Sequence, residues 1–101
     1  MIYLIIYDIG SDKSRAKIAR ALEAEGYERL QYSVFTGTAN PEANATLWQK
    51  LKKYCNEHID EYNNQLVVIK TSKENFANLT VIGEETIDID YLMGKQHTMI
   101  I

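Results

Sequence analysis

Cysteine and proline are almost absent from this sequence, and histidine is rare. The single cysteine, Cys55, excludes an internal disulfide framework and a zinc site built from cysteines. The two histidines, His58 and His97, are too isolated to act as a pair of metal ligands, and we expect them at the edge of the core and in the C-terminal tail. Metal binding through cysteine or through a histidine pair is therefore not expected.

The sequence also lacks a strong excess of one charge and any long apolar run. Eleven Lys and Arg stand against fourteen Asp and Glu, and the net charge of −3 argues against a strongly basic nucleic-acid-binding arm. The N-terminal apolar run is far too short to cross a membrane, and no positively charged segment typical of a signal peptide precedes it. We therefore expect one cytoplasmic domain over residues 1–101, with no membrane partner.

The strongest element of the sequence is the run Ile2–Asp8. Its β-branched and aromatic residues predict a strand buried on both faces. The strand ends in a carboxylate, Asp8, and the following Gly10 and Ser11 predict a turn into a helix capped by Ser11. Ligands tend to gather at such a strand end. Asp8 is therefore either a metal ligand or only a turn residue beside the helix dipole.

The first helix is predicted from about Asp12 to Glu25, ending at Gly26. Apolar side chains three or four positions apart predict one buried face, made of Ile18, Ala19 and Leu22 with Ala16 nearby. The opposite side is cationic and carries Lys13, Lys17 and Arg20, with Arg15 nearer the helix start. These cations are either a solvated charged face or contacts to a phosphate backbone.

The middle of the chain predicts two short strands and a second helix. In residues 27–37 the alternation slips at Phe35, which predicts two strands with a break between Gln31 and Ser33. Asn40 and Pro41 predict the start of a helix that continues to about His58. Its apolar stripe consists of Leu47, Trp48, Leu51, Tyr54, Cys55 and His58.

The remaining strands complete a recognisable order of elements. Residues 65–69 are apolar on successive positions and predict a central strand, and residues 87–91 alternate as a half-buried strand does. This order predicts an α+β fold, a ferredoxin-like βαββαβ sandwich with an additional C-terminal strand. We expect residues 84–101 to form that strand and an apolar tail that docks on a partner subunit.

Short motifs distributed along most of the chain resemble one known family, the CRISPR-associated protein 2 family. They are Tyr7-Asp8-Ile9, Asp12-Lys13, Arg15, Gly26, the block from Arg29 to Gly37, and Val81-Ile82-Gly83. The family carries R-(V/I/L)-Q-x-S-V-F-x-G in this block, and the part from Gln31 to Gly37 is the most specific. Gly10 and Ser11 depart from the family, which often has Ser or Thr and Asp at these positions. A second carboxylate is therefore missing from the turn.

This resemblance implies a ferredoxin-like homodimer with a nuclease site. The carboxylates matching Asp8 would face each other across the two-fold axis and hold Mg2+ or Mn2+. Such a site suits Mg2+, which keeps several waters and takes one or two carboxylates. The nuclease site implied by motif position consists of Tyr7, Asp8, Arg15, Arg29, Ser33 and Phe35, with Lys17 matching a family cation.

Three functions follow as hypotheses. In the first, the dimer bridges the CRISPR integrase (CRISPR-associated protein 1) and protospacer DNA during spacer acquisition, with Lys13, Arg15, Lys17 and Arg20 on the nucleic acid. In the second, it is a metal-dependent endonuclease that acts on single-stranded RNA or double-stranded DNA. In the third, it is a toxin-type ribonuclease resembling virulence-associated protein D. The compact turn after Asp8 and the block at residues 33–37 favour the family of the first two.

Overall fold

The computed structural model describes residues 1–80, 82 and 83, and in them two helices pack on one face of a four-stranded sheet. The strands lie in the order β2-β3-β1-β4, and each neighbouring pair is antiparallel. The elements are β1 (Ile2–Asp8), α1 (Asp12–Ala24), β2 (Glu28–Gln31), β3 (Val34–Gly37), a 3-10 turn (Pro41–Ala43), α2 (Ala45–Cys55), β4 (Gln65–Thr71) and α3 (Lys73–Ala77). The predicted ferredoxin-like α+β fold is confirmed. The predicted C-terminal strand and tail, residues 84–101, lie outside the described residues.

Helix α1 begins and ends as its sequence predicts. The Ser11 hydroxyl caps it by accepting a hydrogen bond from the Ser14 amide at 3.3 Å. Gly26 has a φ of +87°, a conformation that glycine adopts without steric cost, and the helix has ended by this point. The predicted apolar face is buried, except that Ala16 is exposed. Ser14 is buried as well, and its hydroxyl is satisfied by the hydrogen bond that it donates to Glu57.

Strand β1 is covered along one face and only at its start on the other, which corrects the prediction of a strand buried on both faces. Ile5 and Tyr7 point toward the helices and are buried, whereas Ile6 is 37% exposed. Both long helices lie on the same side of the sheet, so Ile6 and Asp8 on the other side are exposed within the described residues, although Ile2 at the start of the strand is buried.

Strand β4 lies at an edge of the described sheet, not at its centre as predicted. It pairs with β1 alone in the described part of the chain. Its apolar residues Val67 and Ile69 are 45% and 42% exposed. Only one side of β4 meets the helices. Val67 and Ile69 lie on the other side and therefore form an exposed apolar surface.

Helix α2 is shorter than predicted at both ends. Asn40 caps only the 3-10 turn, and a second cap, Asn44, accepts a hydrogen bond from the Leu47 amide at 3.1 Å and starts the α-helix. The helix ends at Cys55, and His58 has a φ of +58° that no helix can include. His58 is exposed and is not the predicted core-edge histidine.

The helices of the described residues contain neither a reactive thiol nor a membrane span. Cys55 is partly buried against the core, and burial raises the pKa of its thiol above the ordinary 9.0. Its predicted role as a small core residue is therefore supported. Within residues 1–80, 82 and 83, no helix has the length and apolar character needed to cross a bilayer.

Candidate nucleic-acid and metal site at the end of strand β1

The predicted site residues divide at the end of β1, where Tyr7 and Asp8 point to opposite faces of the sheet. Consecutive residues of a strand alternate between the two faces. Tyr7 is buried on the side that carries the helices, whereas Asp8 is exposed on the uncovered side. We call the first side the helix face and the second the open face. The candidate site therefore consists of two parts, one on each face of the sheet.

On the helix face, a cleft of about 400 Å3 lies between α1 and the β2–β3 hairpin. It is lined by Tyr7, Asp12, Arg15, Ala16, Ala19, Arg29, Tyr32 and Ser33. Four predicted nuclease-site residues, Tyr7, Arg15, Arg29 and Ser33, thus come together in one place. Asp8 is not among the lining residues.

The pairing of the strands positions the Arg29 guanidinium over the ring of Phe35. Arg29 is directly opposite Phe35 in the β2–β3 pair, and Phe35 is opposite Ile5 in the β1–β3 pair. The Arg29 guanidinium carbon lies 5.0 Å from the centre of the Phe35 ring, and that ring stacks with Tyr7 at a centroid distance of 6.2 Å. Phe35 is fully buried, so it supports the cleft without being accessible to a ligand.

The hairpin reverses at Tyr32 and Ser33, as the slip in alternation predicts. Ser33 has a φ of +69°, and its carbonyl accepts a hydrogen bond from the Tyr7 amide at 3.1 Å. The reversal leaves the Tyr32 side chain 71% exposed at the mouth of the cleft, with the Arg15 guanidinium carbon 5.8 Å from its ring centre. Tyr32 is not among the predicted site residues, although it belongs to the block that carries the family resemblance.

Arg15 is already engaged by the protein itself. One guanidinium nitrogen donates a hydrogen bond to the Ile9 carbonyl at 2.9 Å, and another pairs with Asp12. Arg15 therefore ties α1 to the turn that follows β1. Its partner Asp12 is a second cleft residue that sequence reasoning did not select, because an acid in a first helical turn is ordinarily a dipole partner.

Burial raises the pKa of the Tyr7 phenol above its ordinary value of 10.0, although the nearby Arg29 charge opposes that effect. The hydroxyl therefore stays protonated at neutral pH. None of the side-chain hydrogen bonds among the described residues involves this hydroxyl, and no buried side-chain oxygen there lacks a partner, so the hydroxyl is open to solvent in the cleft. It is a hydrogen-bond donor available to a ligand in the cleft.

On the open face, Asp8 lies at the rim of an apolar surface. Ile6 is flanked by Val34 of β3 and Val67 of β4, and Leu4 lies opposite Ile69. Among the described residues there is no cluster of three or more His, Cys, Asp or Glu side chains that could hold a metal ion. Asp8 alone is a minimal ligand for Mg2+ or Mn2+, since Mg2+ binds through one or two carboxylates and keeps several waters, and a second copy would supply the other carboxylate.

The turn after Asp8 is held from the loop between α2 and β4. The Gly10 amide donates a hydrogen bond to the Asn64 side-chain oxygen at 2.9 Å, and the Asn64 amide group in turn donates to the carbonyls of Cys55 and Glu57. A Cβ atom at position 10 would lie 2.2 Å from the Tyr62 ring. Glycine is therefore required here by close approach. The contact between Asn64 and the turn after Asp8 spans 54 positions of the chain and was not predicted.

The four predicted nucleic-acid-binding cations are not equivalent. Lys17 forms an ion pair with Glu57 at 3.1 Å, and Arg15 is paired with Asp12. Lys13 and Arg20 are exposed and form no ion pair within the described residues. Lys50 of α2 joins Arg20 and Lys17 around a groove of about 230 Å3 between the helices, a placement that only the packing of α1 on α2 reveals.

Comparison with known proteins defines the class to which this fold and site belong. A sequence profile of the family described as CRISPR associated protein Cas2 matches residues 1–79. The chain therefore belongs to the Cas2 family, and the predicted resemblance is confirmed.

Individual relatives agree with this assignment. The chain is 40% identical over 60 residues to a CRISPR-associated endoribonuclease Cas2 of Archaeoglobus fulgidus, covering 59% of this chain and 64% of that protein. It is 45% identical over 53 residues to one of Pyrobaculum aerophilum, covering 52% and 58%. The matched segment thus spans less than two thirds of either relative.

Solved structures show the same fold. A hypothetical protein, TT1823 from Thermus thermophilus, superposes with a TM-score of 0.62 at 23% identity, over 85% of this chain and 94% of that one. Streptococcus pyogenes Cas2 superposes with a TM-score of 0.59 at 21% identity, over 82% and 100%. At these identities, the likeness supports the fold alone.

Proposed function

We propose that this chain acts as a homodimer in which two open faces pair and two Asp8 carboxylates form one metal site for cleavage of nucleic acid. The observation that carries the proposal is the position of Asp8, exposed at the rim of the open face at the end of β1. Membership of the Cas2 family supports it. The relatives named above are called endoribonucleases, and we propose RNA cleavage for this chain on that basis.

The apolar character of the open face supports pairing. Ile6, Val67 and Ile69 are large apolar side chains with 37–45% exposure, and they are neighbours across β1 and β4. Contiguous exposed apolar surface is characteristic of an interaction site, and a two-fold contact would place the same patch on both partners. Asp8 at the rim would then approach its symmetry mate.

The metal would offset the repulsion between the paired carboxylates. Two aspartates brought close resist joint ionisation, and a cation between them removes that cost. When bound, Mg2+ or Mn2+ supplies a Lewis acid and an activated water for phosphodiester hydrolysis. The chain itself contributes the carboxylates and the turn that holds them, which Asn64 and Arg15 fix through the backbone of Gly10 and Ile9.

We further propose that the dimer bridges the CRISPR integrase and protospacer DNA. Support comes from family membership and from the exposed cations Lys13 and Arg20 on α1. Cations of this kind bind phosphates irrespective of sequence, as a protein that captures varied DNA requires. A scaffold role does not require turnover, so it can be separated experimentally from cleavage.

The experiment is cleavage of single-stranded RNA by Asp8→Ala across a Mg2+ titration. We expect metal-stimulated cleavage to fall roughly 100-fold or more, because Lewis-acid catalysis contributes several kcal/mol. Asp60→Ala, which removes an exposed aspartate from the loop after α2, is the matched control and should cleave normally. Light scattering should show an unchanged dimer for both variants.

Undiminished cleavage by rigorously repurified Asp8→Ala would refute the proposed metal site. Spacer acquisition with the integrase is the second measurement on the same variant. Acquisition that persists without cleavage supports the bridging role. Acquisition that is lost while the dimer persists would show that bridging alone does not account for the function of this chain.

A further inference from the structure

We infer that Asn64 is a positioning residue for the proposed metal site, and that its side-chain amide sets the affinity of the dimer for metal. This inference rests on the proposed function and deepens it, because it adds a residue that is not itself a metal ligand. Asn64 acts through the backbone of Gly10, two positions after the Asp8 carboxylate. The turn between them transmits the effect.

Asn64 stands at the end of the sheet beside the backbone of Asp8. Asp8 is opposite Gln65 in the β1–β4 pair, and Asn64 directly precedes Gln65. The Asn64 side-chain oxygen accepts a hydrogen bond from the Gly10 amide at 2.9 Å. This contact continues the link between the two chain segments beyond their last strand pair.

The Asn64 side chain needs both ends of its amide. Its nitrogen donates hydrogen bonds to the carbonyls of Cys55 at 3.0 Å and Glu57 at 3.1 Å. Cys55 is the last residue of α2, where a carbonyl has no partner within the helix. One acceptor and two donors on a single short side chain describe an amide, whereas a carboxylate only accepts. Asn64 thus links the turn after Asp8 to the end of α2.

The peptide group between Ile9 and Gly10 is held at both of its polar ends. Arg15 donates to the Ile9 carbonyl at 2.9 Å, and Asn64 accepts from the Gly10 amide at 2.9 Å. Because the carbonyl and the amide belong to one planar unit, the two contacts together fix its orientation. Glycine would otherwise leave this backbone with wide conformational freedom.

The position of the Asp8 carboxylate depends on this backbone. Asp8 is exposed, and none of the ion pairs among the described residues involves it. A metal ligand must be held close to its productive geometry, and here two carboxylates from two subunits must meet. If the turn is released, a smaller fraction of the molecules presents the carboxylate correctly. The apparent affinity for metal falls by that fraction.

The test is a titration of the full-length dimer with Mn2+ alone, in which electron paramagnetic resonance measures the free ion. Asn64→Ala should weaken Mn2+ binding roughly threefold to tenfold, because it removes the hydrogen bond that orients the turn. Asn63→Ala is the matched control. Asn63 is the adjacent, exposed asparagine, and its side chain forms no hydrogen bond within the described residues. This control should bind Mn2+ as wild type does.

Asn64→Asp separates positioning from charge. The aspartate keeps an acceptor for the Gly10 amide but cannot donate to the carbonyls of Cys55 and Glu57. An added negative charge would by itself tighten the binding of a cation, whereas loss of position weakens it. We expect weaker Mn2+ binding by this variant. Tighter binding would overturn the positioning role.

Asn44→Ala tests whether lost stability alone explains the result. It removes the cap at the other end of α2, and with it a single hydrogen bond to a backbone amide. This variant should lose stability yet bind Mn2+ as wild type does. Exchange of the Gly10 amide hydrogen should become faster in Asn64→Ala and not in Asn44→Ala. Equal weakening of Mn2+ binding in both variants would overturn the inference.

Cleavage at saturating metal gives a further distinction. Excess Mn2+ should restore cleavage to nearly the wild-type rate in Asn64→Ala, because its carboxylates are still present, but not in Asp8→Ala. Light scattering should show an unchanged dimer for Asn64→Ala. A monomeric Asn64→Ala would overturn the positioning role, since the residue would then act on association.

The same titration separates this inference from the proposed function. If Asp8→Ala loses Mn2+ binding and Asn64→Ala keeps the wild-type affinity, the positioning role is wrong and the metal site stands. If Asp8→Ala binds Mn2+ as wild type does, the proposed metal site is wrong, and the role of Asn64 is rejected with it.

Discussion

Ile5 and Ile6 are adjacent, chemically identical side chains, yet they belong to two different surfaces. Ile5 is fully buried beneath the helices between Phe35 and Val68, and Ile6 is 37% exposed between Val34 and Val67. The same alternation separates Tyr7 from Asp8 one step further along β1. The helix face is thus complete within one chain, whereas the open face carries an apolar surface around Ile6, Val67 and Ile69 that the described residues leave exposed. This difference shows why the cleft on the helix face forms within a single subunit, while the proposed metal site brings two together.

The comparison is tested most strongly by truncating each isoleucine in turn. Ile5→Ala should lower the free energy of unfolding by about 2–5 kcal/mol, because it leaves a cavity under the helices. This loss should be the same at low and high protein concentration. Ile6→Ala should instead have a cost in stability that changes with protein concentration, because it weakens association. Urea unfolding at two concentrations measures both, and a concentration-independent loss for Ile6→Ala would contradict pairing through the open face.

A smaller effect is expected at the turn where the two faces meet. Gly10→Ala should lower the free energy of unfolding by about 1–3 kcal/mol, because the added Cβ collides with the Tyr62 ring. The double variant Gly10→Ala, Tyr62→Ala should lose less stability than the two single variants together, since the collision is gone. Strict additivity in thermal unfolding would mean that Tyr62 does not confine this turn.

The smallest effect concerns the ion pair that joins α1 to the loop after α2. Hydrogen bonds from Ser14 and Lys17 lower the pKa of Glu57 below its ordinary 4.5. A depressed pKa contributes stability that is present above pH 4.5 and is lost as the pH falls through the folded-state value. Glu57→Gln should therefore be less stable than wild type at pH 7 and should approach it in acid.

Unfolding midpoints at neutral pH and below pH 4.5 measure this difference. Glu28→Gln, on the exposed surface of β2, is the control and should show little change. A Glu57→Gln variant with the wild-type pH dependence would show that this carboxylate does not stabilise the fold.

Much of the site was predictable from local sequence. The strand that ends at Asp8, the Ser11 cap and the reversal at Ser33 all appear where the pattern places them, because each depends on residues a few positions apart. The family motif also selected Arg15 and Arg29, which line one cleft. The second helix was extended too far because Asn40 and Asn44 both have the chemistry of a cap, and only the structure shows which of them begins the α-helix.

Other features depend on contacts that sequence distance conceals. Lys17 appears as a free cation until Glu57, forty residues further along, is brought beside it. Gly10 appears as an ordinary turn glycine until Tyr62 is packed against it. The apolar run of β4 predicts that the strand is buried, but it does not indicate whether a helix or a second subunit would cover it.

By itself the sequence determined the described strands, the two long helices, the Ser11 cap and the family, because hydrophobic period and short-range hydrogen bonding act within a few residues. Only the tertiary structure decided that Tyr7 is buried under the helices and Asp8 is exposed, since this depends on which side of the sheet the helices cover. It also decided which cations stay available, because ion pairs form between elements that only folding brings together.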